Sequence, residues 1–129
     1  TEDRQVGPEV YTTASAPKDV AEDNVFVHRV RADSQGNSRV GMINDDLGLG
    51  IFWKFPQEEI PLVNQWQHFH RGTYVTGVEP GNASMLGRAW NRKHGTLQYI
   101  EPEEVREFHM EIGVLDGAEE ISAFDASLR

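Results

Sequence analysis

The chain has 129 residues, enough for one domain with a buried core or for one part of a larger one. With 21 acidic against 12 basic residues its formal net charge is −9, which argues against nucleic acid or an anionic membrane as a partner and favours a neutral or cationic ligand. Cysteine is absent, which excludes a disulfide framework and a thiolate zinc site and suits a cytoplasmic setting.

In chain order, Glu9-Val10-Tyr11-Thr12-Thr13 is a short β-prone run between Gly7-Pro8 and Pro17, and reads as an edge strand. Thr1-Glu2-Asp3-Arg4 before it has neither the basic lead nor the apolar core of a signal peptide. An acidic loop, Lys18 to Asp23, leads into Val25, Val27 and Arg29 alternating with Phe26, His28 and Val30, a strand with no clear inside face. The turn formers Asp33 to Ser38 precede a second β pattern, Arg39 to Asn44, so the two runs read as a hairpin. After Asp45 to Gly50 breaks the chain, Ile51, Trp53 and Phe55 share one face of the next strand, which is expected to be core. Pro56 to Pro61 is a connection, and Leu62 to Gln67 is another strand, with Leu62, Asn64, Trp66 and His68 on one side.

Thr73 to Glu79 continues the series. Tyr74, Thr76 and Val78 fall on one face and Thr73, Val75, Gly77 and Glu79 on the other, so Glu79 follows a glycine on its own face. A position without a side chain beside a carboxylate leaves room for a group to lie over the sheet, and Pro80-Gly81-Asn82 then ends the strand. Ala83 to Gly95 reads as a loop or short helical turn, Thr96 to Ile100 as a short strand, and Glu101 to Glu104 as a turn. Val105 to Leu115 has the most regular alternation in the chain and is expected to turn Phe108, Met110, Ile112 and Val114 inward. The polar tail, residues 116–129, is expected to be frayed or weakly helical. Seven or eight short strands without a ten-residue amphipathic helix give an all-β chain of sandwich or barrel type.

Two constellations carry possible chemistry. His68-Phe69-His70 puts two imidazoles on one strand face, the local geometry of a cupin-like metal site, but Glu79 follows too late for a cupin and Arg71 disfavours a cation, so no metal or cofactor is assigned. Trp66 lies among Asn64, Gln65, Gln67 and His68, a setting in which an indole packs on the apolar face of a pyranose while amides and imidazoles bond its hydroxyls; a core tryptophan with a satisfied N–H fits as well. Asn82-Ala83-Ser84 matches a glycosylation acceptor and is taken as coincidental.

Pro61 to Trp66, then Gly72-Thr73-Tyr74-Val75-Thr76-Gly77-Val78-Glu79-Pro80-Gly81-Asn82, then Gly95-Thr96-Leu97 and Val105 to Leu115 together resemble the C-terminal half of the aldose 1-epimerase-like (galactose mutarotase-like) proteins, in particular an uncharacterised bacterial branch. The resemblance implies an antiparallel β-sandwich of the galactose mutarotase-like supersandwich type, incomplete in this chain. Residues 1–115 would be the C-terminal part of that domain. It also implies a sugar or sugar derivative as partner and Glu79 as the general base that interconverts anomers. With the polar setting of Trp66, this places Trp66, His68, Arg71 and Asn82 as the residues expected around the substrate. The family's acid histidine would lie upstream of Thr1. Half a sandwich would expose an apolar face, so self-association or a missing N-terminal half is expected. The alternatives are a non-catalytic sugar-binding or assembly module and a cupin-like metal-dependent enzyme.

Overall fold

A computed structural model describes residues 7–20 and 22–128. Six strands and three helices occur among them, and the contacts divide the chain into two units, one of residues Thr1–His28 and Leu62–Leu97, the other of Arg29–Pro61 and Gln98–Arg129. Each unit holds one three-stranded antiparallel sheet. None of the described helices is long and apolar enough to cross a membrane.

The first unit is built on a hairpin of β4 (Leu62–His70) and β5 (Thr73–Gly81), joined by Arg71-Gly72. Gly72 takes φ +90°, which a residue with a side chain adopts only under strain. Strand β1 (Asn24–His28) pairs with the other edge of β4, giving the order β1-β4-β5. The ladder runs on through Pro80 and Gly81, two residues past the expected stop. Proline is tolerated there because β5 is an edge strand, whose outer side needs no N–H donor.

The run expected to be an edge strand is instead a short helix, α1 (Glu9–Thr12). Pro8 before it has φ −59°, already helical, and the Thr12 hydroxyl bonds back to the Pro8 carbonyl at 2.8 Å. The Tyr11 ring packs 5.8 Å from Phe26 and 5.0 Å from His28, so α1 covers the Phe26/His28 face of β1. On the same sheet face Gln65 bonds His28 and the Tyr11 carbonyl, and Phe69 stacks on Tyr74 at 4.7 Å. Beyond β5, helix α2 (Arg88–Lys93) carries Asn91, whose buried amide bonds Ser84, Gly87 and Thr96. The expected strand at Thr96 to Ile100 does not form, because the amides of Thr96 and Leu97 are taken by the Asn91 carbonyl.

In the second unit β2 (Asn37–Asn44), β3 (Leu49–Pro56) and β6 (Glu111–Asp116) pair in the order β2-β3-β6. The expected hairpin between the Val25 and Arg39 runs is therefore absent. The Asp33 to Asn37 turn does form, held by bonds from the Gln35 and Asn37 amides to the Asp33 carboxylate, but it closes only an isolated Ala32–Ser38 bridge. Those two amides, with Arg39 at 2.6 Å, hold the Asp33 carboxyl below the usual carboxylate range.

The tail forms a docked helix, α3 (Ala118–Ser127), of which Ile121 and Phe124 are buried with Leu115 against Ile43 and Phe52. Two glycines shape this packing. A Cβ at Gly41 would lie 2.5 Å from the Phe124 ring, and one at Gly113 would lie 2.3 Å from the Phe52 ring, so both sites are sockets for phenylalanines. This docking reverses the expected sense of the last strand. Leu115 faces the helix, while Ile112 and Val114 are 55% and 67% exposed and Phe108 and Met110 precede the strand in irregular, exposed chain. Residues 105–110 fail to pair although they alternate well. Around them the backbone N–H and ring of His109 bond the Glu59 carboxylate, and Arg106 is spent on Glu104, Gln98 and the Tyr99 carbonyl. Of the residues expected to be core on the middle strand, Phe55 is fully buried, whereas Ile51 and Trp53 are half-buried.

Candidate functional site

The site grows from the pairing of β4 with β5. The register sets His70, His68, Trp66 and Asn64 opposite Thr73, Val75, Gly77 and Glu79, and directly opposed residues share a face. Strand β1 adds Val25 opposite Trp66 and Val27 opposite Asn64. Because these valines are 42% and 37% exposed and Glu79 is exposed, this face is open to solvent. The other face carries Gln65, Gln67 and Phe69.

The Glu79 carboxylate rests over Gly77. A Cβ placed on Gly77 would lie 2.6 Å from Oε1 of Glu79, so the group that occupies the side-chain-free position is the glutamate itself. Gly77 lies opposite Trp66, which brings the carboxylate alongside the strand position of the indole. This gives a direct test. In Gly77→Ala the new methyl meets the mobile end of a side chain, so it should displace the carboxylate while stability stays within about 1 kcal/mol of wild type. Thermal melting together with the carbonyl-carbon shift of Glu79 in NMR separates the two effects; a large loss of melting temperature would mean that the site is packed more rigidly than this geometry implies.

Trp66 and His68 are tied together by Asp23, one residue before β1. Trp66 Nε1 donates to Oδ1 of Asp23 at 3.1 Å, and Nδ1 of His68 meets the same oxygen at 2.8 Å. The bond from His68 and then that from Trp66 hold the Asp23 carboxyl below the usual carboxylate range. The Trp66 and His68 rings stack 6.2 Å apart at 29°, and His70 follows 6.0 Å further along.

Other expected site residues lie apart. Arg71 sits in the hairpin turn, about 20 Å from Glu79 by strand rise, and its 2.6 Å ion pair with Asp19 is exposed on both sides, 71% and 81%. Such a pair contributes about 0–1 kcal/mol. Asn82 follows β5 at the Glu79 end and is half-buried. The amides expected beside Trp66 serve the fold: Asn64 fastens the Ala83 carbonyl and the Met85 amide, each at 3.0 Å, and Gln65 and Gln67 lie on the opposite face. Among the described residues no group of three or more His, Asp or Glu is placed to hold a metal ion. Sequence reasoning missed Asp23, reading it only as loop. Its signal is its place one residue before β1, which becomes meaningful once β1 is known to pair with β4.

The chain has the all-β, antiparallel sandwich fold of the aldose 1-epimerase-like proteins. It matches the crystal structure described as "a putative aldose 1-epimerase from Klebsiella pneumoniae subsp. pneumoniae MGH 78578" with a TM-score of 0.85 and 20% sequence identity, over 93% of this chain and 32% of that one. It thus spans about a third of that protein's length, and at this identity the likeness is one of fold. By sequence the chain belongs to the family described as "Domain of unknown function (DUF4432)", which matches residues 2–114. None of the curated proteins matches it.

Proposed function

We propose that the chain is a carbohydrate-binding, aldose 1-epimerase-like protein, the C-terminal part of a larger sandwich, whose Glu79 is the general base in interconverting sugar anomers. The observation that carries this reading is the Glu79 carboxylate lying over Gly77 on the open face of β5, across from Trp66. A pyranose stacked on the indole would bring its anomeric hydroxyl to that carboxylate. Glu79 takes the hydroxyl proton as the bond from C1 to the ring oxygen breaks and the ring oxygen gains a proton from an acid. The aldehyde rotates about C1–C2; as the ring closes on its other face, the attacking hydroxyl gives its proton back to the acid, the carbonyl oxygen takes the proton from Glu79, and the other anomer results. The acid is not assigned to His28, His68 or His70. A cytosolic setting accords with the cysteine-free sequence.

The test is NMR exchange spectroscopy of aldose anomers with the chain present. Exchange above the buffer rate supports the catalytic reading. Binding without exchange favours a sugar-binding module.

A second reading, an assembly module, draws on the sheet of the second unit. Met42, Leu49, Ile112 and Val114 share the sheet face turned away from α3 and are each 43% exposed or more, an apolar stretch of the kind that soluble monomers rarely leave uncovered. The isolated chain should therefore self-associate, and Val114→Lys should shift it towards monomer. Sedimentation velocity reads this, and a monomeric wild type at tens of micromolar would count against the assembly reading.

A further inference from the structure

The ladder between β1 and β4 opposes Asn24 to Gln67, and continuing it by one residue brings Asp23 level with His68. From there its carboxylate reaches His68 directly and Trp66 diagonally, the two neighbours that a residue has on one face of an antiparallel pair. Both bonds end on the same oxygen, Oδ1.

We infer that Asp23 is a positioning residue of the sugar-facing surface: it clamps the Trp66 indole by its N–H and fixes His68 as the Nδ1–H tautomer, so that His68 offers Nε2 as a hydrogen-bond acceptor to a hydroxyl of a bound sugar. This inference rests on the proposed sugar-binding function. An ionised carboxylate has only lone pairs, so the short contact to Nδ1 requires the proton on that nitrogen, and a neutral imidazole then has none on Nε2. A free imidazole favours the opposite tautomer, so the carboxylate sets the outcome. Trp66 spends its single donor on the same oxygen and leaves only its ring to a ligand. The result is a stacking surface with a fixed acceptor beside it, a combination that suits a ring with one apolar face and hydroxyl donors at its edge. His68 is accessible for this part, with a quarter of its side chain exposed.

The test uses two variants and two readouts. Long-range 1H–15N NMR at a pH above the ordinary histidine range reports the His68 tautomer without any ligand. Tryptophan fluorescence titrated with D-glucose and with D-galactose reports affinity. Asp23→Ala should move His68 to the Nε2–H form and weaken aldose binding about tenfold, the cost of one hydrogen bond with its geometry. Asp23→Asn retains an acceptor oxygen and should restore most of both. If His68 stayed Nδ1–H and affinity were unchanged in Asp23→Ala, the inference would be overturned. A wild type that binds neither aldose would instead remove the functional reading, while the tautomer shift would still judge the clamp.

Discussion

Phe124→Ala should lower stability by about 3–5 kcal/mol, the range for deleting a buried aromatic ring, and should act first on α3. Left to itself this helix has little reason to form. It is ten residues long, below the length at which isolated helices persist in water, and Gly117 at its start supplies no side-chain cap. Glu119 and Glu120 in the first turn favour it, through the helix dipole, by tenths of a kcal/mol. Burial must supply the rest, and Phe124 is the larger of its two buried side chains, seated over Gly41 and 5.7 Å from the Phe52 ring. Because Gly41 presents no side chain, a smaller residue at 124 leaves a void that neighbouring atoms cannot readily fill. Urea titration gives the loss, and amide exchange locates it. Continued protection of the α3 amides, with a change under about 1 kcal/mol, would show that Ile121 alone suffices to hold the helix.

The same contacts explain which parts of the fold could be read from the sequence. Strands whose alternation coincides with a local partner are legible: Thr73 to Glu79 and Leu62 to Gln67 read as strands, and β4 and β5, which contain them, are separated by only two turn residues, so pattern and pairing agree. Val105 to Leu115 alternates better than either, yet half of it is unpaired and its apolar set faces solvent, because which face a strand buries is decided by what docks on it. Here that is α3, whose two inward residues, Ile121 and Phe124, are too few to announce a helix. The hairpin assigned to Asp33 to Ser38 failed for a related reason. Turn chemistry was read correctly, but β1 pairs with β4, far along the chain, and no local signal records that.

For the candidate site, the order of Gly77 and Glu79 could be read from period two alone, and so could the placement of Trp66 and His68 on one face. What the sequence withheld was again non-local. Asp23 reaches Trp66 and His68 only through the pairing of β1 with β4, and Asn64 looks like a ligand-binding amide until the 83–85 segment folds onto it. Arg71 is close to His70 in sequence but lies at the far end of the hairpin from Glu79.

Under the proposed function, Glu79→Gln should leave the fold intact and remove anomer exchange. Gln has nearly the size of Glu, Glu79 is exposed at an edge strand, and its resting place over Gly77 accommodates an amide as well as a carboxylate, so stability should change by no more than about 0.5 kcal/mol. The chemistry tolerates no such exchange. Abstracting the anomeric proton requires a basic lone pair, which the amide lacks, and losing a positioned base typically lowers rates by about 10²–10⁴-fold. Binding should be nearly unchanged, because stacking on Trp66 and a hydrogen bond to an amide remain available. The signature of a base is thus a lost rate at retained affinity, read by exchange spectroscopy beside fluorescence titration on the same sample. Loss of affinity with the rate would make Glu79 a binding group. Equal exchange in both proteins would take it out of the mechanism, and the base would then have to be sought away from the open face of β5.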